Sequence, residues 1–82
     1  MKEQIEQVLY KHFKITKAQL EYQNNLLYIS QGYGKGLIFV CANKMIGVYK
    51  QPEVNLSVVV GIDSVEFEHD LVTAITIQIK RL

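Results

Sequence analysis

The sequence predicts an α+β fold in which an N-terminal helix packs on a five- to seven-stranded, mostly antiparallel sheet. Three observations lead to this prediction. Apolar residues near the N-terminus follow a helical period, later stretches alternate between apolar and polar residues, and short turn signals separate those stretches. Alternation with a period of two places successive side chains on opposite faces of a strand, which is typical of antiparallel sheet. We expect one domain, residues 1–82.

The first element is a helix. Its apolar stripe has the i, i+3, i+4, i+7, i+8 spacing that places side chains on one helical face. The stripe consists of Ile5, Val8, Leu9, His12 and Phe13. Residues Thr16 to Gln19 then have the composition of a capping box, which would begin a second short helix. We favour the alternative, in which a strand begins here.

A β-hairpin follows, with strands near residues 18–23 and 26–31. The turn is Asn24-Asn25, because Asn tolerates the positive φ of a tight turn. Folding the chain about this turn predicts two cross-strand pairs, Tyr22 with Leu27 and Leu20 with Ile29. Glu21 and Tyr28 then lie on the opposite face of the hairpin.

Three further strands are predicted in the middle of the chain. The first, Leu37–Ala42, is apolar on both faces, which is typical of a central strand. Asn43-Lys44 turns the chain into Met45–Lys50. Gln51-Pro52-Glu53 ends that strand, since Pro cannot donate to a central ladder. Another strand that is apolar on both faces spans Leu56–Ile62.

Apolar and polar residues alternate again from Val65 to Glu68 and from Ile75 to Lys80, which predicts two last strands. A sheet of this kind has more apolar surface than the predicted helix can cover. One helix of about three turns hides only part of one sheet face. Large exposed apolar patches are rare in monomers, so the second face must be hidden by another copy or by curling into a small barrel. We favour a homodimer.

The composition is that of a globular protein, with 49% hydrophobic and 21% charged residues and one Pro. No segment is apolar over the roughly 18 residues that a membrane span needs. The first residues lack an apolar signal-peptide core, and the single Cys41 cannot form an internal disulfide. We therefore expect a cytoplasmic protein with no membrane partner.

The net charge of +1 argues against a dedicated nucleic-acid binder. The charge is unevenly distributed, however. Residues 1–50 contain seven Lys and three Glu, a net +4, whereas residues 51–82 contain five acidic and two basic residues, a net −3. Two solvated surfaces of different charge are the favoured interpretation. The alternative is that the opposite patches meet between subunits.

The loop Gly32-Tyr33-Gly34-Lys35-Gly36 is the candidate ligand site. Its glycines allow backbone N–H groups to point at an anion, Lys35 could pair with a phosphate, and Tyr33 could stack on a base. The loop lacks the spacing of the Rossmann and P-loop signatures, so a hairpin connection is the favoured interpretation. The alternative function is binding of a nucleotide or another phosphate compound.

No catalytic residue, metal site or cofactor is predicted, and we do not expect an enzyme. On a strand, Glu66, Glu68 and Asp70 would share a face from which His69 points away, which does not make a metal site. His12 lies on the helix stripe without an identifiable catalytic partner, and Cys41 lies in the most apolar strand, where a thiol serves as packing.

The favoured function is a non-catalytic protein-interaction module that self-associates and acts as a small accessory, regulatory or inhibitory protein by occluding or bridging another protein. Exposed tyrosines favour binding surfaces, because a large rigid ring provides contact area at low entropy cost. The candidate interface residues are Tyr10, Tyr28, Val59, Glu66 and Glu68. A small-barrel RNA binder is a further alternative.

Overall fold

Within the residues that the structure describes, a helix is followed by five strands and a second helix. The computed structural model describes residues 2–51 and 58–80, and residues 58 and 59 by their backbone alone. The helices are α1 (Lys2–Phe13) and α2 (Phe67–Lys80). The strands are β1 (Leu20–Gln23), β2 (Leu26–Ile29), β3 (Leu37–Ala42), β4 (Met45–Lys50) and β5 (Val58–Gly61). The predicted α+β class with an N-terminal helix and an antiparallel sheet is confirmed.

The first helix buries most of the predicted apolar stripe, but His12, which was assigned to that stripe, is exposed. Ile5, Val8 and Leu9 are buried against the rest of the molecule. The helix ends where Lys14 adopts a positive φ of 58°. The amide of Ile15 then turns back and donates to the carbonyl of Leu9 at 3.1 Å. Ile15 is itself buried in the core.

Residues Lys17–Gln19 form a single 3₁₀ turn, and β1 begins only at Leu20. The N–H of Thr16 donates to Oε1 of Gln19 at 3.2 Å, as one half of a capping box. The prediction of a strand from residue 18 was therefore wrong for these residues, and the short helical turn is the correct alternative.

The five strands form one antiparallel meander in the order β1-β2-β3-β4-β5. The predicted hairpin register is confirmed, with Leu20 opposite Ile29 and Tyr22 opposite Leu27. Asn24 has the positive φ that the turn requires, 53°. The sheet is open, so the small-barrel alternative was wrong. Of the predicted strand Leu56–Ile62, residues 56 and 57 lie outside the described residues, as do Pro52 and Glu53 of the predicted break.

The predicted strands at Val65–Glu68 and Ile75–Lys80 were wrong, because Phe67–Lys80 is a helix. Its buried residues have the helical spacing i, i+3, i+4, i+7. They are Leu71, Ala74, Ile75 and Gln78. Apolar and polar residues do alternate in this segment, as a strand requires. Packing against the rest of the molecule nevertheless favours the helical period over the strand period.

Local signals at both ends of α2 favour the helix. The N–H of Glu66 donates to Oγ of Ser64 at 3.2 Å just before the first turn. Glu68 and Asp70 lie in the first turn and Lys80 in the last, where each charge is favourable with the helix dipole. The hydroxyls of Thr73 and Thr76 donate to carbonyls one turn back, so neither is left unpaired inside the helix.

Both helices pack on the same face of the sheet, which we call the inner face. A single core cluster joins apolar residues of α1 and α2 to strand residues that the register places on this face. Those strand residues are Leu20, Leu27, Ile29, Leu37, Phe39, Ile46, Val48 and Val60. The buried Gln78 of α2 donates from Nε2 to the carbonyl of Val48 at 3.2 Å, which ties the second helix to β4.

The identity of α2 as a helix predicts unequal effects of two matched substitutions. Ile75 is fully buried and Ile77 is 46% exposed. Ile75→Ala should lower the free energy of unfolding by about 2–5 kcal/mol, and Ile77→Ala by about 0.5 kcal/mol, as measured by urea denaturation. In a strand these positions share a face, so equal losses for the two variants would contradict the helix.

Candidate functional site

The candidate site is the sheet face opposite the helices, which we call the outer face. Strand register arranges its positions in three rows that run across the strands. The aromatic row is Glu21, Tyr28, Ile38 and Tyr49. The middle row is Gln23, Leu26, Val40, Gly47 and Val59. The low row is Ala42, Met45 and Gly61.

Neither described helix covers the outer face, because both belong to the inner-face core. Ile38 shows this separation. It is 8% exposed and yet is not part of the core cluster. Tyr28 and Tyr49 flank it on the two neighbouring strands. A row of two aromatic rings and one branched apolar side chain thus lies outside the core.

The outer face is nearly uncharged. Among its described positions only Glu21 carries a charge, and it lies on the edge strand β1. The hydroxyl of Tyr28 donates to Oε1 of Glu21 at 3.3 Å. The negative charge of Glu21 raises the pKa of Tyr28, so the hydroxyl stays protonated and acts as a donor at neutral pH. Depletion of charge with enrichment in Tyr and Met is the composition of protein-interface cores.

The five predicted interface residues do not form one surface. Tyr28 lies on the outer face, and the register also places Val59 there. Tyr10 belongs to α1 in the helical layer and is 60% exposed. Glu66 and Glu68 lie at the start of α2, which the strand prediction had not placed in the helical layer.

Glu68 forms a contact that sequence reasoning missed. Its Oε2 accepts hydrogen bonds from Nε2 of His12 at 2.7 Å and from Nζ of Lys11 at 3.2 Å. These bonds, first that of His12 and then that of Lys11, lower the pKa of Glu68. A lowered pKa means that this pairing contributes stability at neutral pH and loses it as the pH falls through that pKa.

Residues of the basic first half and the acidic second half therefore pair within one chain. Besides the contact at Glu68, Nζ of Lys44 lies 3.8 Å from a carboxylate oxygen of Asp63. Both pairs are solvent-exposed, and such pairs contribute little to stability. Contacts between subunits are not needed to explain the uneven charge.

The Gly32–Gly36 loop is a folded turn. Its three glycines have φ values of 77°, 82° and 100°, as glycine turn chemistry predicts. The N–H of Gly36 donates to the carbonyl of Ile29 at 3.0 Å, and that of Lys35 to the carbonyl of Gly32 at 3.1 Å. Two of the five amides in the proposed anion site are thus used within the chain, while the side chains of Tyr33 and Lys35 are exposed.

The other side chains that could react or bind a metal do not lie together. Cys41 is half-buried on the inner side of β3, and burial raises the pKa of its thiol, which keeps it protonated and weakly nucleophilic at neutral pH. Within the described ranges, no three His, Cys, Asp or Glu side chains are grouped to hold a metal ion. Glu66 and Asp70 lie one helical turn apart and do not form the strand face that the sequence indicated.

Two grooves lined by described residues lie beside α1 in the helical layer. One has a volume of about 240 Å³ and lies between α1 and α2. It is lined by Gln4, Gln7, Val8, Lys11, Phe67 and Glu68. The other has a volume of about 340 Å³ and lies between α1 and the start of β1, next to Tyr10 and Lys17. Charged side chains line both grooves, in contrast to the outer face.

Comparison with known proteins identifies no family model, curated protein or solved structure that matches this chain. Among the described residues, neither helix has the length and apolar character that a bilayer crossing requires. Function must therefore be argued from the geometry.

The packing of the Gly32–Gly36 loop predicts unequal effects of two Gly→Ala substitutions. A Cβ at Gly34 would lie 3.2 Å from the Cδ1 atoms of Ile15 and Ile29, on a residue with positive φ. A Cβ at Gly61 would meet nothing within 4 Å. Gly34→Ala should lower the free energy of unfolding by roughly 1–3 kcal/mol in urea denaturation, whereas Gly61→Ala should change it by less than about 0.5 kcal/mol. Equal stability of the two variants would show that the loop does not pack on the core.

Proposed function

We propose that this protein is a non-catalytic interaction module that self-associates through the outer face of its sheet. The observation that supports this proposal most directly is the one-sided core. Both described helices lie on the inner face, and the outer face carries an apolar, aromatic and nearly uncharged set of side chains. Met45 is 45% exposed and the two tyrosines of the aromatic row are half-buried, so part of this apolar face is open to solvent. Apolar surface that is open to solvent is typical of a protein-binding site.

A second copy of the chain is the occupant that the chemistry favours. A partner for the outer face must present an apolar and uncharged surface, because an unpaired charge buried there would be costly. The described helical layer is unsuitable, since exposed Lys11, Lys14, Lys17 and Glu68 lie on it. The outer face itself satisfies the requirement. Contact between two outer faces is an isologous interface, which is the commonest kind in soluble oligomers.

The size of the face fits a weak dimer. The strands are four to six residues long, and at about 3.3 Å per residue and about 4.8 Å between strands the face has a flat area of roughly 380 Å². Two such faces give roughly 760 Å², which is below the roughly 1,200 Å² of a standard interface and in the range of weak, reversible contacts.

Binding of nucleic acid through this face is disfavoured by its charge. Surfaces that bind single strands combine stacking aromatic rings with a positively charged groove. Tyr28 and Tyr49 could supply the rings, but the register places no Lys or Arg on the outer face among the described residues. The open sheet also removes the small barrel on which the RNA-binding alternative was based.

In a face-to-face dimer the two helical layers point outward. Tyr10, with 60% of its surface exposed and with Nζ of Lys14 at 5.9 Å from its ring centre, would be presented twice. In this proposal the dimer is a cytoplasmic accessory protein that occludes or bridges another protein through its helices.

A charge placed in the centre of the outer face tests this function. Val40→Lys lies on β3 in the middle row, and Val65→Lys makes the same change at a fully exposed position outside the sheet. Val40→Lys should raise the dimer dissociation constant roughly 30-fold or more, as for a central interface residue, in sedimentation equilibrium. Val65→Lys should leave it unchanged.

Circular dichroism serves as the folding control for both variants. A folded Val40→Lys protein that dimerises as tightly as the unmodified protein would overturn the proposal.

A further inference from the structure

We infer that the unpaired edge of β1 is a docking site for an extended segment of another protein. The segment adds to the sheet as an antiparallel strand and places an apolar side chain in the groove between α1 and β1. This surface differs from the outer face, so docking here goes beyond the proposed self-association and does not require a dimer. The backbone groups at the edge and the groove beside them are the two features that support it.

One edge of β1 is unpaired within the described residues, because β1 is the first strand of the sheet. Antiparallel strands bond to each other at every second residue, and Gln19 is such a position, since its carbonyl accepts from the N–H of Ser30 at 2.8 Å. Leu20 and Tyr22 therefore direct their backbone groups away from β2. The N–H of Leu20 donates to the carbonyl of Lys17, which leaves the carbonyl of Leu20 and both backbone groups of Tyr22 available for an added strand.

The groove between α1 and the start of β1 lies beside this edge. It has a volume of about 340 Å³, and its apolar lining comes from Ile15, Leu20 and the ring of Tyr10. Leu20 belongs to the inner-face core, so a residue paired with Leu20 on an added strand also points its side chain to the inner side, towards the groove. The charged lining residues, Glu6 and Lys17, have opposite signs. The groove therefore favours a neutral, apolar side chain.

The residues on β1 also favour particular side chains at the other positions of the segment. Glu21 lies between Leu20 and Tyr22, is exposed and points to the outer side. Opposite charges that face each other across two strands are stabilising, so Lys or Arg is favoured opposite Glu21. A β-branched side chain is favoured opposite Tyr22, because aromatic and β-branched residues form favourable cross-strand pairs. In the antiparallel direction the segment is therefore β-branched, basic and apolar at three successive residues.

A second copy of the chain is a poorer occupant of this edge. Two β1 strands paired about Glu21 would place the two Glu21 carboxylates directly opposite each other, where like charges are destabilising. Pairing about Tyr22 would place Leu20 opposite Asn24 of the other copy. The N–H of Leu20 and the carbonyl of Asn24 are already bonded, the latter to Nζ of Lys2 at 2.8 Å. A segment of different sequence avoids both conflicts.

Fluorescence anisotropy with labelled peptides tests the docking site. The probes are Gly-Ser-Val-Arg-X-Ser-Gly, in which Val pairs with Tyr22, Arg pairs with Glu21, and X is Leu, Ile, Met or Phe and enters the groove. We expect saturable binding by at least one of the four. Methylation of the Val nitrogen removes the N–H that donates to the carbonyl of Tyr22, so it should weaken binding about tenfold. Methylation of the Arg nitrogen is the matched control and should leave the affinity nearly unchanged, because that N–H points away from β1.

Protein variants test the side-chain contacts, with circular dichroism as the folding control. Tyr10→Ala removes a wall of the groove and should weaken binding roughly tenfold. Tyr33→Ala should not, since Tyr33 is equally exposed (59% against 60% for Tyr10) but does not line the groove. Glu21→Lys should weaken binding of the Arg peptide and strengthen binding of a peptide with Glu in place of Arg, each by about two- to fivefold.

Absence of saturable binding by all four peptides would overturn the docking site. Equal affinities of the two methylated peptides would overturn it as well, because the peptide would then bind without adding to the sheet. Equal affinities of Tyr10→Ala and Tyr33→Ala would show that the groove is not used and would have the same consequence. Each of these results leaves self-association intact. Failure of self-association is recognised separately, because the unmodified protein would then sediment as a monomer.

Discussion

The packing of α2 against the inner face of the sheet is the contact on which the rest of the structure depends. Leu71, Ala74 and Ile75 join the core formed by the strands and α1, and Gln78 bonds to the backbone of β4. Because this segment is a helix, the described sheet has five strands and both helices lie on one side of it. As a direct consequence of this one-sided packing, neither described helix covers the outer face.

Local signals predicted the first half of the chain well. The α1 stripe, the turn at Asn24-Asn25 and the hairpin register depend on residues close together in sequence. The turn and the register were correct, and so was the stripe except at the exposed His12. The prediction of strands in the α2 segment was wrong because its β-branched residues alternate with polar ones, as in a strand. Its helical stripe contains Gln78, a polar residue whose burial depends on a carbonyl 30 residues away. Ser64 and the acidic first turn were the sequence signals that could have identified it.

The sequence predicted that the candidate site is an apolar sheet face, but it predicted only some of the residues on that face. Strands that are apolar on both faces predicted more apolar surface than one helix covers, and the second helix covers part of that surface on the inner face. The register places Tyr28 and Val59 on the outer face. These positions could be predicted because successive residues of a strand alternate between the two faces of the sheet. Glu68 could not be placed from sequence, because its partners His12 and Lys11 lie 56 and 57 residues away and on another helix.

The most direct test of this account is sedimentation velocity of the unmodified protein over a wide range of concentrations. The account predicts a reversible, concentration-dependent species with twice the 9.4 kDa mass of the chain. Its formation should be insensitive to salt, because the outer face contributes almost no charge. A monomer at every concentration would contradict the account, since the outer face would then be stable without a second copy. Dimerisation abolished by salt would contradict it as well and would indicate the charged helical layer.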